Sequence, residues 1–257
     1  MISPLANVSP KAKIGKNVTI NAFASIHEDV ELGDDCYIHS NALIYPDTII
    51  GSGCKIFPGA VIGIINQDLK YKGEKSNTVI GKNTTIREFA TIHKGTADRM
   101  TTKVGDNCLI MCYTHLGHDC AIGNNVIIAN NGSLAGHITV EDFVIIEGVV
   151  AAQQFVNIGA HSFVAGASLV RKSIPPYCRV AREPLQFIGV NTIGLARRGF
   201  DKELIKQIED IYRIIFVRGH NVTNALEIVE NEMPDTAVRK QIVDFIRNQK
   251  DGIIKGI

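Results

Sequence analysis

The sequence predicts a mainly β protein, a parallel β-helix followed by a small α-helical domain. Ile, Leu or Val recurs every six residues from Ile2 to Val170 and fills 25 of the 29 positions of that frame. A small or β-branched residue follows four positions after each aliphatic one. In a helix, side chains six residues apart would point in three different directions. In a strand, side chains an even number of residues apart lie on the same face. Such hexapeptide repeats are typical of a β-helix.

Two interruptions of the array preserve its frame. They span Gly63–Val79 and Gly95–Lys103, and they contain three of the four exceptions to the aliphatic rule, Asp68, Glu74 and Asp98. We therefore expect two loops that project from a continuous solenoid, and loops on a rigid scaffold often carry function. Removing three looped-out hexads leaves 26. If three hexads make one triangular coil, the array contains eight or nine coils, and residues 18 apart stack at about 4.8 Å.

The periodicity becomes helical after Pro175-Pro176, where we expect the repeats to end. Asp201 is a predicted N-cap and Gly219 a predicted stop for the first helix. Three helices are predicted from apolar spacing, near Leu204–Ile215, Ala225–Glu232 and Thr236–Asn248. The predicted domains are therefore a β-helix over 1–175 and a helical domain over 176–257.

Composition restricts the class of protein. The 257 residues carry 27 Lys and Arg against 26 Asp and Glu, a net charge of +1, which argues against a nucleic-acid-binding protein. No apolar stretch of about 18 residues and no signal sequence is evident, so we expect no transmembrane segment and a cytoplasmic protein. The cysteines at 36, 54, 108 and 120 occupy the small-residue position, which indicates buried thiols that act as small hydrophobes.

The stacking rule brings chemically active residues together. Hexads that begin at Leu116, Leu134 and Ala152 should lie above one another and carry, at outward-facing positions, His118, Gly136-His137 and Gln153-Gln154. Asp119 follows His118, and a carboxylate beside an imidazole can fix its tautomer and make it a general base. The same residues could instead form a solvated polar turn, or hold a metal.

Four segments carry a resemblance to a known family: Asn66–Tyr71, His115–Cys120, Leu134–His137 and the stretch from Gly189–Asn191 through Arg197–Phe200. Together they resemble the UDP-N-acetylglucosamine 3-O-acyltransferases, the first enzymes of lipid A synthesis. The resemblance implies a left-handed prism, a homotrimer with active sites between subunits, and a helical tail. Periodicity alone does not give the hand, and the usual crossover rule would predict the opposite one.

The resemblance also implies a reaction, the transfer of an (R)-3-hydroxyacyl group from acyl carrier protein to the sugar 3-hydroxyl of UDP-N-acetylglucosamine. His118 would be the general base, Asp119 its orienting partner, and the Gly136 N–H the donor to the oxyanion. The protein would need no cofactor or metal of its own, because the phosphopantetheine of the carrier protein holds the acyl group.

The implied substrate-binding residues form two groups, one for the glucosamine and diphosphate with the acyl group, and one for the nucleotide. The first contains Gln67, Asp68, Lys70, His115, His137 and Gln154; the second contains Asn191, Arg197 and Arg198. An Arg fork suits a diphosphate. Two departures leave roles open: Gln153 replaces a His found in some members, and Ile193 replaces an acidic residue.

Two glycines predict an acyl-chain groove. Gly148 and Gly166 occupy equivalent positions in successive coils, and Gly166 matches the family position that sets where the acyl chain ends. An open groove there predicts donors of 14 carbons or more. The alternative is that both glycines serve only tight corners.

Four other functions remain possible at this point. One is a hexapeptide-repeat enzyme that uses acetyl-CoA and a different acceptor. Another is the N-acyltransferase that acts later in the same pathway. That enzyme carries a domain before its repeats, whereas the repeats of this sequence begin at Ile2. The others are a metal-dependent β-helix hydratase and a non-enzymatic β-helix that binds through a flat face.

Overall fold

The computed structural model describes residues 1–256; Ile257, the last residue of the predicted helical domain, lies outside the described residues. Three sheets of nine, eight and ten strands form the sides of a triangular prism. The first sheet contains Asn7–Val8, Ser25–Ile26, Leu43–Ile44, Val61–Ile64, Thr91–His93, His115–Leu116, Ser133–Leu134, Ala151–Ala152 and Leu169–Val170. The second contains Lys13–Ile14, Glu31–Leu32, Thr48–Ile50, Asn77–Ile80, Thr101–Val104, Ala121–Ile122, Thr139–Val140 and Asn157–Ile158. The third contains Thr19–Ile20, Tyr37–Ile38, Lys55–Ile56, Thr85–Ile86, Leu109–Ile110, Ile127–Ile128, Ile145–Ile146, Phe163–Val164, Cys178–Ala181 and Gln186–Val190.

The register confirms the predicted stacking. Leu116 pairs with Leu134 and Leu134 with Ala152, each 18 residues on. The step grows to 30 between Val61 and Thr91 and to 24 between Thr91 and His115. The extra 12 and 6 residues leave the prism within the loops 65–76 and 94–100, respectively. We call these the first loop and the second loop.

The aliphatic frame fills the prism. Ile38, Ile56 and Ile110 are completely buried, whereas Tyr37 and Lys55, which precede the first two in their strands, are exposed on the outer face. All six cysteines are free, and the four at the small-residue positions are buried, as predicted. Each corner places one residue in the left-handed region, for example Asn125 at φ 56°, which Asn and Asp tolerate better than other side chains.

Three corners separate the sheets, and each is named here by a residue that it carries. The His118 corner joins the first sheet to the second, the His161 corner joins the second to the third, and the Gly148 corner joins the third to the first. Residues 18 apart on one corner lie directly above one another.

The prism extends further than predicted. Strand Cys178–Ala181 pairs in parallel with Phe163–Val164, beyond Pro175-Pro176 where the repeats were expected to end. Both prolines lie at the His161 corner between strands, where they remove no ladder hydrogen bond. Gln186–Val190 then returns antiparallel to this last strand, a hairpin that hexad counting did not predict.

Four helices follow: α1, Thr192–Arg197; α2, Lys202–Phe216; α3, Val222–Glu232; and α4, Ala237–Arg247. Asp201 caps α2 as predicted, accepting the Leu204 N–H at 2.7 Å. The short α1 was not predicted, because six residues carry too little periodicity to detect. Within residues 1–256, none of the helices combines the length and apolar character that crossing a bilayer requires.

Candidate active site

His118 and Asp119 form a buried pair at the His118 corner. His118 Nδ1 lies 2.9 Å from Asp119 Oδ2. Because an ionised carboxylate can only accept, the hydrogen-bond network assigns the proton to Nδ1 and leaves the Nε2 lone pair free. A neutral imidazole in this tautomer is competent to remove a proton from a substrate hydroxyl.

Asp119 is completely buried and fully hydrogen-bonded. Besides His118, its carboxylate accepts the Thr96 N–H at 3.0 Å and the Thr96 hydroxyl at 2.6 Å. Burial by itself would raise the pKa of Asp119, but the hydrogen bonds from Thr96 and His118 outweigh burial and lower this pKa below its usual value. The carboxylate is therefore ionised at neutral pH, as an orienting partner requires.

His118 was predicted to face outward into solvent, and only the direction of its side chain agrees with that prediction. His118 points away from the prism interior, yet only 7% of it is exposed. The second loop covers the corner: Thr96 binds the Asp119 carboxylate, and Arg99 donates to the Asp119 carbonyl at 3.0 Å. The site is therefore not a solvated polar turn. Thr96 and Arg99 were missed because no repeat rule places a looped-out hexad.

Gly136 lies one coil from His118 on the same corner. A Cβ built at Gly136 would lie 2.6 Å from both Nε2 and Cε1 of His118, so only glycine leaves the imidazole in place. Within residues 1–256 the Gly136 N–H donates to no backbone or side-chain acceptor. An unpaired N–H beside the free nitrogen of a base can donate to a developing oxyanion.

His137 completes this corner. Its ring meets the His118 ring edge-on at 4.8 Å and stacks on Phe155 at 4.5 Å. Nδ1 lies 3.0 Å from Asp98 Oδ2, although misaligned for a hydrogen bond. Burial lowers the pKa of His137, and the opposing effect of Asp119 is smaller. His137 is thus a neutral polar group at neutral pH.

A second histidine pair lies beside the first. His115 Nδ1 lies 2.8 Å from the Thr91 hydroxyl, and its ring meets His93 edge-on at 4.7 Å. Burial lowers the pKa of His115, and burial together with the neighbouring imidazoles lowers that of His93 to about 4. His93 was not predicted, although subtracting the six looped-out residues would have placed Ile92 beside Leu116 and His93 at the site.

The first loop carries the predicted Gln67, Asp68 and Lys70. Gln67 and Lys70 are exposed, and the Asp68 carboxylate accepts the Lys70 N–H at 2.9 Å in a local turn.

Asn66 and Ser76 donate side-chain hydrogen bonds to the Gly95 carbonyl, and Glu74 accepts the Ala97 N–H. These hydrogen bonds attach the first loop to the second loop, which covers the His118-Asp119 pair.

Gln154 lies two coils from His118 on the same corner, as predicted. Gln153 and Gln154 are both exposed and line a cleft of about 520 Å³ with Arg171, Lys172 and residues 248–251. Phe155, which stacks on His137, lines the same cleft, and both exposed amides can contact a ligand there.

The predicted nucleotide group lies at a different corner. Asn191 caps α1, accepting the Gly194 N–H, and donates to the His161 carbonyl at 2.8 Å. Arg198 donates to the Phe143 carbonyl at 2.9 Å, while Arg197 is exposed and lines a cleft of about 200 Å³. A single chain does not bring these residues to the His118 corner.

The two groove glycines lie at the third corner. A Cβ at Gly166 would meet the Gly148 carbonyl at 3.3 Å, and one at Gly148 would meet the Asn130 carbonyl at 3.3 Å, so the three residues stack as predicted. The three predicted groups therefore occupy three different corners of one prism.

His118, Asp119 and His137 are also a candidate metal centre, since one ligand atom from each lies within 4.8 Å of the others. However, Asp119 Oδ2 already accepts from the Thr96 hydroxyl and from His118 Nδ1. A metal would have to displace these hydrogen bonds, so the arrangement fits a hydrogen-bonded base better than a ligand set.

A three-sided β-helix of hexapeptide repeats with a buried His-Asp pair on one corner defines a hexapeptide-repeat transferase. Residues 11–46, 29–64 and 101–136 each match the six-repeat profile of the bacterial hexapeptide transferases. Residues 174–254 match the profile described as UDP-N-acetylglucosamine O-acyltransferase, domain 2.

Relatives and solved structures agree with this class. The acyl-[acyl-carrier-protein]–UDP-N-acetylglucosamine O-acyltransferase of Pseudomonas paraeruginosa is 43% identical, covering 99% of both chains; that of Burkholderia orbicola is 42% identical over 76% of this chain and 77% of its own. The UDP-N-acetylglucosamine acyltransferase of Bacteroides fragilis superposes with a TM-score of 0.98 at 47% identity, covering 99% of this chain and 100% of the other. That of Francisella novicida gives 0.96 at 39%, covering 99% and 94%.

The chain belongs to the acyl-[acyl-carrier-protein]–UDP-N-acetylglucosamine O-acyltransferase family. The predicted family and the predicted left-handed β-helix with a helical tail are confirmed.

Proposed function

We propose that the protein transfers an (R)-3-hydroxyacyl group from acyl carrier protein to the 3-hydroxyl of UDP-N-acetylglucosamine, the first step of lipid A synthesis. The observation that carries the proposed mechanism is the His118-Asp119 pair with a free N–H beside it. Family membership supports the substrates, and the buried geometry supports the chemistry.

In the first step His118 acts as general base. Nε2 takes the proton of the sugar 3-hydroxyl while its oxygen attacks the thioester carbonyl. The imidazolium formed is stabilised by the ionised Asp119, whose own geometry is fixed by Thr96. This role requires no metal and no redox cofactor, because the donor enters already activated as a thioester.

In the second step the tetrahedral intermediate collapses. Its oxyanion accepts a hydrogen bond from the Gly136 N–H. The C–S bond breaks, the phosphopantetheine thiolate leaves, and the imidazolium returns its proton to that sulfur. The products are the 3-O-acylated sugar nucleotide and the free carrier protein.

We propose that Asp68, Lys70 and Gln67 on the first loop, with His115, His137 and Gln154, hold the sugar, the diphosphate and the acyl group, and that Asn191, Arg197 and Arg198 hold the nucleotide. The low pKa values of His115 and His137 keep both imidazoles neutral, so they would bind hydroxyl groups as donors and acceptors. The diphosphate charge would then be met by Lys70 and the arginines.

The distribution over three corners supports a homotrimer. A monomer leaves the base, the nucleotide group and the glycine groove on separate edges of one prism. Three parallel prisms around a common axis would place one corner of each subunit against a different corner of its neighbour. The active site would then form between subunits. Light scattering at micromolar concentration should give three times the 28.0 kDa chain mass.

We also propose a cytoplasmic location, where an acyl carrier protein and a nucleotide-activated sugar would meet the enzyme. The direct test of the function is mass spectrometry of product formed from UDP-N-acetylglucosamine and a series of 3-hydroxyacyl carrier proteins. Acetyl-CoA as donor serves as the control. Transfer from acetyl-CoA but from no acyl carrier protein would contradict the proposal.

A further inference from the structure

Thr96 makes two hydrogen bonds to one carboxylate across 23 residues of chain. Its N–H donates to Asp119 Oδ1 at 3.0 Å and its hydroxyl donates to Asp119 Oδ2 at 2.6 Å. The second of these oxygens is also the one that accepts the hydrogen bond from His118 Nδ1–H. Thr96 is 8% exposed and Asp119 completely buried, so water does not compete for these hydrogen bonds.

The main chain of Asp119 is held by the second loop and by a neighbouring strand. Arg99 donates to the Asp119 carbonyl, and Thr102 in the adjacent strand accepts the Asp119 N–H at 2.8 Å. The backbone of Asp119 is therefore fixed by contacts that do not involve Thr96. Thr96 instead fixes the rotation of the carboxylate about the Cβ–Cγ bond of Asp119. This rotation determines whether Oδ2 faces His118.

We infer that Thr96 is a positioning residue of the reaction, acting on His118 through Asp119; the inference rests on the proposed role of His118 as base. Without the Thr96 hydroxyl the carboxylate turns, the His118 Nδ1–H loses its aligned acceptor, and the tautomer with a free Nε2 is no longer favoured. Thr96 itself donates to Asp119 and not to His118.

The second loop also receives contacts from the first, which gives the position of Thr96 a link to the proposed acceptor site. The residues on either side of Thr96, Gly95 and Ala97, accept from Asn66 and Ser76 and donate to Glu74. Thr96 thus lies between the loop that carries Asp68 and the His118-Asp119 pair, with hydrogen bonds on both sides.

The test compares Thr96→Val, which removes the hydroxyl at nearly constant shape, with Thr96→Ser, which restores it. We expect the Val variant to lose about tenfold in kcat with little change in the KM for the sugar nucleotide, and the Ser variant to recover most of that loss. Thr84→Val is the matched control: Thr84 is completely buried and makes two hydrogen bonds, to the Gly105 carbonyl and from the Cys108 N–H, far from the site. It should lower the melting temperature without lowering kcat.

A double-mutant cycle separates positioning from simple stability. In an Asp119→Asn background, Thr96→Val should change kcat less than about twofold, because the residue through which it acts is already altered. A full tenfold loss in that background, or no loss in the wild-type background, would overturn the inference. Wild-type protein without transferase activity would instead contradict the proposed function.

Discussion

Gly136 lies so close to the His118 imidazole that a Cβ at this position would come within 2.6 Å of Nε2. The three atoms nearest to that Cβ all belong to the His118 ring, and none belongs to backbone. A side chain at position 136 would therefore displace the His118 imidazole and leave the prism intact.

Gly136→Ala should consequently reduce kcat by at least ~10²-fold, the scale for displacing a positioned general base. The melting temperature should stay close to that of the wild type, because the imidazole can swing aside. Steady-state kinetics and thermal melts of Gly136→Ala beside the wild type give the comparison. Normal turnover by Gly136→Ala would show that the imidazole does not need its present position.

His118→Ala and Asp119→Ala should separate activity from stability. Loss of the base should lower turnover by at least ~10²-fold, and loss of the orienting carboxylate by less. Stability should follow the opposite order, because Asp119→Ala leaves the buried donors of Thr96 without an acceptor, at a cost of about 1–3 kcal/mol. Steady-state kinetics and denaturant titration on both variants give the comparison. Near wild-type kcat in His118→Ala would exclude the mechanism.

Gly166→Met should shift the preferred donor to shorter chains, away from the 14 or more carbons expected for the open groove. Each buried CH₂ contributes ~0.8 kcal/mol, so blocking four carbons should discriminate by ~3 kcal/mol, near 200-fold. The measurement is kcat/KM across a series of 3-hydroxyacyl carrier proteins, with the sugar-nucleotide KM as the internal control. An unchanged chain-length profile would place the length-determining residue elsewhere.

The buried histidines predict loss of stability in mild acid. Burial lowers the pKa values of His93 and His161 to about 4, whereas the unfolded chain titrates near 6.5. Between these values the unfolded state binds more protons, so the free energy of unfolding should fall as the pH drops from about 6.5 to about 4. His161 stacks between Phe143 and Tyr177, and His161→Phe should fit there and weaken this pH dependence. A pH profile unchanged by that substitution would assign the effect to other groups.

Asp119 should add a second acid transition. Its pKa is lowered on folding, so its contribution to stability is present above the unfolded value near 3.8 and is lost as the pH falls through the folded value. Asp119→Asn should remove this lower transition and leave the histidine transition in place. Thermal melts from pH 7 to well below the unfolded value near 3.8 resolve the two.

Metal removal should leave activity unchanged. Elemental analysis of the purified protein should give much less than one zinc per chain, and incubation with a chelator should not lower kcat, since Asp119 Oδ2 already accepts two hydrogen bonds. Stoichiometric zinc together with chelator-sensitive activity would favour the metal centre formed by His118, Asp119 and His137.

The sequence by itself determined the repeats, the register and the vertical order of the site. Side chains alternate between the two sides of a strand, and residues 18 apart stack in neighbouring coils. Both rules depend only on position in the repeat, so the column His118, Gly136, Gln154 follows from counting residues. The N-cap Asp201 is equally local, since its hydrogen bond reaches only three residues ahead. The same reasoning gave the two loops as departures from the frame.

Only the tertiary structure decided how His118 is covered and where the predicted nucleotide group lies. Thr96 reaches Asp119 because a looped-out hexad folds back over the corner, and no period describes the path of such a loop. The extension of the prism to Cys178–Ala181 likewise depends on two prolines at a corner where no N–H is needed. Asn191 lies at the His161 corner because the chain returns along Cys178–Ala181 after the repeats end, and hexad counting does not reach that far.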